Sequence, residues 1–267
     1  MAFPVCQAPD GLQQLMDNQR FDSTFRLSRQ RQSMNSTVLT LTERNNIETG
    51  PWFSKLSVAL REDILSRASV RRLSDGALLS CRGEPAEEWM AVAKGAVRVS
   101  SVSLAGKQIA LTYVEPGTWF GDIALFDGLP RTHDASVHGD TTLLVIRKPD
   151  FRELLQRHTE LYDALLRLNC RRLRLMFDMV EDLNTRPLAS RLAKQIIFLA
   201  RSYGEPQGDE IRIGLQLAQE DLAQLLGASR QRVNQELKSF EREGAVRVEP
   251  TRLVVLSRDK LMAIANR

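Results

Sequence analysis

Residues 217–246 read LAQEDLAQLLGASRQRVNQELKSFEREGAV, and their periodicity resolves into two short helices joined by a glycine. In the first, Gln219–Leu226, the side chains of Leu222, Leu225 and Leu226 share an inward face, and the small Ala223 lets another helix cross closely. Gly227 ends that helix, because glycine enters the left-handed conformation of a helix terminus without a Cβ clash. Ser229 stands where an N-cap hydroxyl accepts from the free amides of the next helix. Beyond it Val233, Leu237 and Phe240 recur at i, i+4 and i+7 as a buried stripe. The opposite face offers Arg230, Gln231, Asn234, Gln235 and Lys238, all hydrogen-bond donors, three of them amides that also accept. Val246–Val248 and Leu253–Leu256, around Pro250–Arg252, predict a β-hairpin wing. Together these features predict a winged helix-turn-helix over residues 186–267, with its second helix entering the major groove of double-stranded DNA. An unrelated α-hairpin gives no reason for five polar donors on one face.

Upstream, Pro187 suits the start of a helix running to about Tyr203, with Thr185 as a candidate cap; Gly204–Gly208 reads as a loop and Ile211–Ile213 as a short strand. Residues 161–184 form a long helical stretch without glycine or proline. Leu161, Leu165, Leu168, Leu175 and Met179 follow a near-heptad seam that Arg172 interrupts, while Leu166, Leu173, Met176, Val180 and Leu183 mark a second apolar stripe. A helix with two apolar faces must bury both. The preceding domain covers one, and the other is left for a second copy of the chain. The sequence assigns the homodimer seam to Leu161, Leu165, Leu168, Leu175 and Met179, in a dimerisation region over 149–185.

Before Pro149 the period is two. Short β-type runs at Ala77–Cys81, Trp89–Lys94, Ala96–Ser101, Gln108–Val114, Ala135–Val137 and Thr142–Ile146 are punctuated by glycines. They follow a helical stretch at 54–69 and predict an antiparallel β-roll over 49–148. Residues 1–48 are polar and aperiodic and predict a flexible extension, with one short helix near Leu12–Met16. The fold class expected is α+β: an N-terminal antiparallel roll, a long helix and a C-terminal winged helix.

The bulk numbers are those of a soluble globular protein. The chain is 43% hydrophobic and 26% charged, with a formal charge of +4. That excess lies in residues 185–267, which hold 14 Lys and Arg against 10 Asp and Glu; the remainder is balanced at 23 of each. A basic C-terminal third suits a polyanionic partner. With no run of 18 apolar residues and no secretory leader, the expected location is the cytoplasm, with no membrane partner. Three scattered cysteines, Cys6, Cys81 and Cys170, predict reduced thiols rather than a metal site. No nucleophile elbow, HExxH or P-loop is present, so no catalytic residue is assigned.

The stretch LAQLLGASRQRVNQELKSFEREG with its wing, together with WFGDIALFDGLPR at 119–131, resembles the CRP/FNR family of bacterial transcription regulators, over residues 50–262. The resemblance implies a cyclic-nucleotide-binding-like roll, a dimerisation helix, a near-palindromic operator and RNA polymerase as a partner. It places Arg230 at the arginine that contacts guanine, whose O6 and N7 match a guanidinium fork. Gln231 stands where many relatives carry glutamate and Gln235 where many carry arginine, so the half-site is expected to differ from theirs. In the sensor it places Gly121 and Asp122 at the ribose and Arg131 and Thr132 at the cyclic phosphate. Met176 and Phe177 fall where cAMP receptors set hydroxyls against adenine. Apolar side chains there cannot make those hydrogen bonds, so cAMP is expected to bind poorly. The effector stays open between another phosphorylated nucleotide such as cyclic di-GMP, an unrelated ligand and none. Cys6 alone in the tail argues against an iron–sulfur cluster, and His133, His138 and His158 read as surface residues. The alternative function is a cyclic-nucleotide-binding regulatory protein without gene-specific DNA reading; residues 217–256 discriminate, because such a protein needs no helix-turn-helix.

Overall fold

The computed structural model describes residues 38–102 and 108–267, and helix α1, Leu41–Glu48, stands at the end of the stretch read as a flexible extension. The signal lay in Thr40-Leu41-Thr42-Glu43, a capping box: Thr40 Oγ1 accepts from the Glu43 amide at 3.3 Å, and Glu43 Oε2 accepts from the Thr40 amide at 2.8 Å. Glu43 then accepts from Arg72 at 2.6 Å and from the Thr142 hydroxyl at 2.7 Å. The guanidinium holds its carboxyl down to about 2. A polar composition thus hid an anchored helix with Ile47 fully buried. The rest of the predicted extension, including the helix near Leu12–Met16, lies outside the described residues.

A 3-10 turn at Phe53–Lys55 leads into α2, Val58–Arg67. The roll follows as β1 (Ser69–Leu73), β2 (Leu78–Ser80), β3 (Glu88–Val102), β4 (Gln108–Val114), β5 (Trp119–Phe120), α3 (Ile123–Asp127) and β6 (Asp134–Arg147). Pairing is antiparallel in the order β1-β6-β3-β4, with β2 on β6 and β5 on β3. The sequence reading split β3 at Gly95 and β6 at Gly139, yet both strands run through. The register slips there, Lys94 facing Thr142 and Ala96 facing His138. A Cβ on Gly95 would lie 2.7 Å from the Asp140 carbonyl oxygen, so this glycine makes a bulge rather than a turn.

Next come α4 (Lys148–Arg157), α5 (Glu160–Thr185) and α6 (Leu188–Tyr203). The C-terminal domain adds β7 (Gly204–Gln207), β8 (Glu210–Ile213), α7 (Gln219–Leu225), α8 (Arg230–Arg242), β9 (Val246–Val248), β10 (Leu253–Val255) and α9 (Arg258–Ala265). Its sheet runs β7-β8-β10-β9. The segment read as a loop at Gly204–Gly208 is therefore largely a strand, pairing Gly204 with Ile213 and Gln207 with Glu210. Among the described residues no helix is long and apolar enough to cross a membrane. Cys170 is a free, exposed thiol, and Cys6 lies outside the described residues.

The roll's core is aromatic. Trp89 and Trp119 pack with ring centroids 4.3 Å apart, flanked by Trp52, Phe53 and Phe151. Trp52 Nε1 donates to the Ala164 carbonyl at 2.9 Å and so pins the start of α5 to this core. Leu161 and Leu165 are buried in it at 0% and 1% exposure, and Leu168 packs against it. Those three residues are not a dimer seam. They share one face with Arg172, which turns to the roll as well. Both stripes of α5 have near-heptad spacing, so period alone could not tell which one meets the roll. The stripe left uncovered carries Leu166, Leu173, Met176, Val180 and Leu183; Leu175 and Met179, placed in the seam by sequence, are also exposed.

Candidate functional site

The C-terminal domain presents a reading helix whose inner face is locked. Val233, Leu237 and Phe240 of α8 are at most 1% exposed, in a cluster with Leu222, Ala223 and Leu226. Gly227 has φ +60 and Ala228 N donates to the Ala223 carbonyl at 2.9 Å, which closes the turn between α7 and α8. Ser229 caps α8, its Oγ accepting from the Arg232 amide at 3.3 Å. Arg230, Gln231, Gln235 and Lys238 are exposed and Asn234 is half-buried, all on α8. Donors therefore stand on the first three turns of a helix whose other face is fixed, the arrangement needed for reading base edges in a groove. The wing is tied to the same helix: Glu241 accepts from the Val248 amide at 2.8 Å, and Glu249 N donates to the Arg252 carbonyl at 2.9 Å across the hairpin tip. Arg247 in the wing is engaged by Glu210 at 2.7 and 3.0 Å.

In the roll, the loop from β5 to β6 brings part of the predicted sensor together. Gly121 has φ +90, and a Cβ on it would sit 3.1 Å from the Glu88 carbonyl oxygen and 3.5 Å from an Arg131 guanidinium nitrogen. Arg131 also donates to that carbonyl at 3.3 Å, while its backbone pairs with Gly83 and Glu84 at 2.8 Å each. Gly121 and Arg131 are thus neighbours. Thr132 is exposed, its hydroxyl 2.8 Å from His133 Nδ1. Partial burial and the charge of Arg82 hold the His133 pKa down, favouring the neutral ring.

Asp122 departs from its predicted place at the sugar. It is fully buried, and both oxygens accept from Arg172 of α5, at 2.9 and 3.1 Å; one also accepts from Asn169 at 2.9 Å. Arg172 donates further to the Trp119 carbonyl. A residue expected to meet a ligand instead straps the sensor loop to the long helix. The sequence signal was Arg172 itself, a cation within an apolar stripe, which needs a buried counter-charge. Met176 and Phe177 lie a turn further along α5 and are 62% and 66% exposed.

Comparison with known proteins gives two family matches. The model of the cyclic nucleotide-binding domain matches residues 70–158, and that of the Crp-like helix-turn-helix domain matches residues 190–264. The chain is similar to the CRP-like cAMP-activated global transcriptional regulator of Mycobacterium tuberculosis, with 30% identity over 186 residues, 70% of this chain and 83% of that protein. It is 28% identical over 175 residues to the global nitrogen regulator of Synechocystis sp., covering 65% of this chain and 78% of the other. The solved structure of FixK2 from Bradyrhizobium japonicum shares the fold, with a TM-score of 0.65 at 20% identity over 74% of this chain and 96% of that one.

Proposed function

Because the chain belongs to the CRP/FNR family of transcription regulators and carries that family's helix-turn-helix DNA-binding domain, we propose that it works as a homodimer on a near-palindromic operator. From there it acts on RNA polymerase, as the family resemblance implies. The observation that carries the dimer is the uncovered apolar stripe of α5, Leu166, Leu173, Met176, Val180 and Leu183, on a helix whose other face is already buried in its own roll. Two reading helices related by a dimer axis meet successive major grooves when half-sites lie about 10 bp apart, or a multiple of this, centre to centre.

Arg230 reads a guanine in this proposal, while Lys238, two turns further along α8, meets phosphate. Arg230→Ala is expected to cost about 1–3 kcal/mol per half-site and to relax preference at one base pair. Lys238→Ala should weaken all sequences alike and flatten the salt dependence. Binding series on a selected operator and its single-base variants, at two salt concentrations, separate the two. Uniform weakening by Arg230→Ala would make Arg230 a backbone contact and sink this assignment.

The roll reads as a sensor of something other than cAMP. The acid at its sugar position is spent on Arg172, and Met176 and Phe177 offer no hydrogen bond to a base. Thermal melts with cAMP are expected to show little or no shift, whereas a ligand gripped by Arg131 raises the Tm by mass action and loses the effect in Arg131→Ala. A micromolar, Arg131-dependent affinity for cAMP is the result that overturns this reading.

A further inference from the structure

The first helix of the helix-turn-helix does not hang from its hinge alone; it is held by the roll of the same chain. Gln224 of α7 is the centre of the contact. Its Oε1 accepts from Arg98 of β3 at 2.7 Å and from the Ala110 amide of β4 at 3.3 Å. Arg98 is 3% exposed and also donates to Gln108 at 3.3 Å. A second strut lies beside it. His138 of β6, read from sequence as a surface residue, donates from Nε2 to the Gln216 carbonyl at 2.5 Å and stands edge-on to Tyr113, with centroids 5.1 Å apart. Tyr113 is 3% exposed and, with Ala96 and Ala110, belongs to the same apolar cluster as Leu222 and Leu226 of the DNA-binding domain. Roll and reading head thus share one core.

We propose that Gln224, through Arg98 and Ala110, is a positioning residue that sets the distance and rotation between the two reading helices of the dimer, and so the operator spacing the protein accepts. The inference rests on the dimeric reading given above. Each head has two attachments. One is the joint after α5, where Asp182 accepts from Lys194 at 2.6 Å and from Arg186 at 2.7 Å. The other is the contact of the roll with α7, where the His138–Gln216 strut and the shared apolar cluster flank the Gln224 clamp; losing Gln224 takes this acceptor from a buried guanidinium and so loosens the whole contact. A body held at one point pivots, and a body held at two does not. Since α7 and α8 pack through Leu222, Ala223 and Val233 in one core, fixing α7 fixes α8. One added base pair between half-sites moves the second by about 3.4 Å and rotates it by about 34°. A clamped head cannot follow that change, whereas a pivoting head can.

The test is binding of the full-length protein to operators whose half-site spacing is cognate or longer by 1 or 2 bp. Wild type is expected to lose about tenfold or more on the longer spacers. Gln224→Ala should bring the three operators to within a few-fold of one another while keeping the base preference within each half-site, which a general loss of folding would not do. Gln224→Glu keeps the acceptor facing Arg98 and should keep the spacing preference. Gln224→Ala as selective as wild type, or Gln224→Glu as permissive as Gln224→Ala, overturns the proposal. A wild type indifferent to spacing also overturns the clamp, whereas a wild type that binds a single half-site as tightly as the two-half-site operator defeats the dimeric reading itself.

Discussion

Replacing Leu173 and Val180 together with aspartate is expected to split the dimer while leaving each subunit folded. Both residues are more than half exposed in the single chain, at 52% and 55%, so charge there costs the subunit little. In a symmetric seam the same change buries four carboxylates against apolar side chains, at a cost of several kcal/mol for each that stays charged. Sedimentation should show monomers with an unaltered thermal melt, and affinity for a two-half-site operator should fall to that of a single half-site. A variant that sediments with wild type would move the interface off this face of α5.

The second substitution tests the other stripe of the same helix. Leu165 is 1% exposed inside the roll's core, near the point where Trp52 bonds the Ala164 carbonyl. Leu165→Asp places a charge there with no partner, and the expected loss is about 4 kcal/mol or more. For a chain of this size that lowers the Tm by about 10 °C, read by calorimetry, with unfolding or aggregation in place of clean monomers. A well-folded monomeric Leu165→Asp would restore the seam that the sequence alone assigned.

The contrast between these two leucines marks where the sequence was legible. The winged helix could be read almost residue by residue, because its signals are local: Gly227 at the turn, Ser229 at the cap and the Val233, Leu237, Phe240 stripe all recur in the structure as expected. The roll was legible as a class but not in its strands. Gly95 and Gly139 look like turn residues in a linear reading, and only the pairing of β3 with β6 shows that the strands pass through them. Which stripe of α5 faces the roll depends on a partner domain far off in sequence, and spacing carries no such information. Arg172 was taken for a flaw in a seam when it was the ion-pair partner of Asp122. The α1 helix was missed because its stability comes from one capping box and from Arg72 and Thr142, 29 and 99 residues away from Glu43. The contact of Gln224 with Arg98 spans 126 residues and has no local signature at all.

The central claim, a dimer reading a two-fold DNA site through α8, is tested most directly by native mass spectrometry of the full-length protein on a duplex selected from random sequence. An enriched near-palindrome and a complex of two chains per duplex are expected. One chain per duplex, or selected sequences without two-fold symmetry, would contradict that claim.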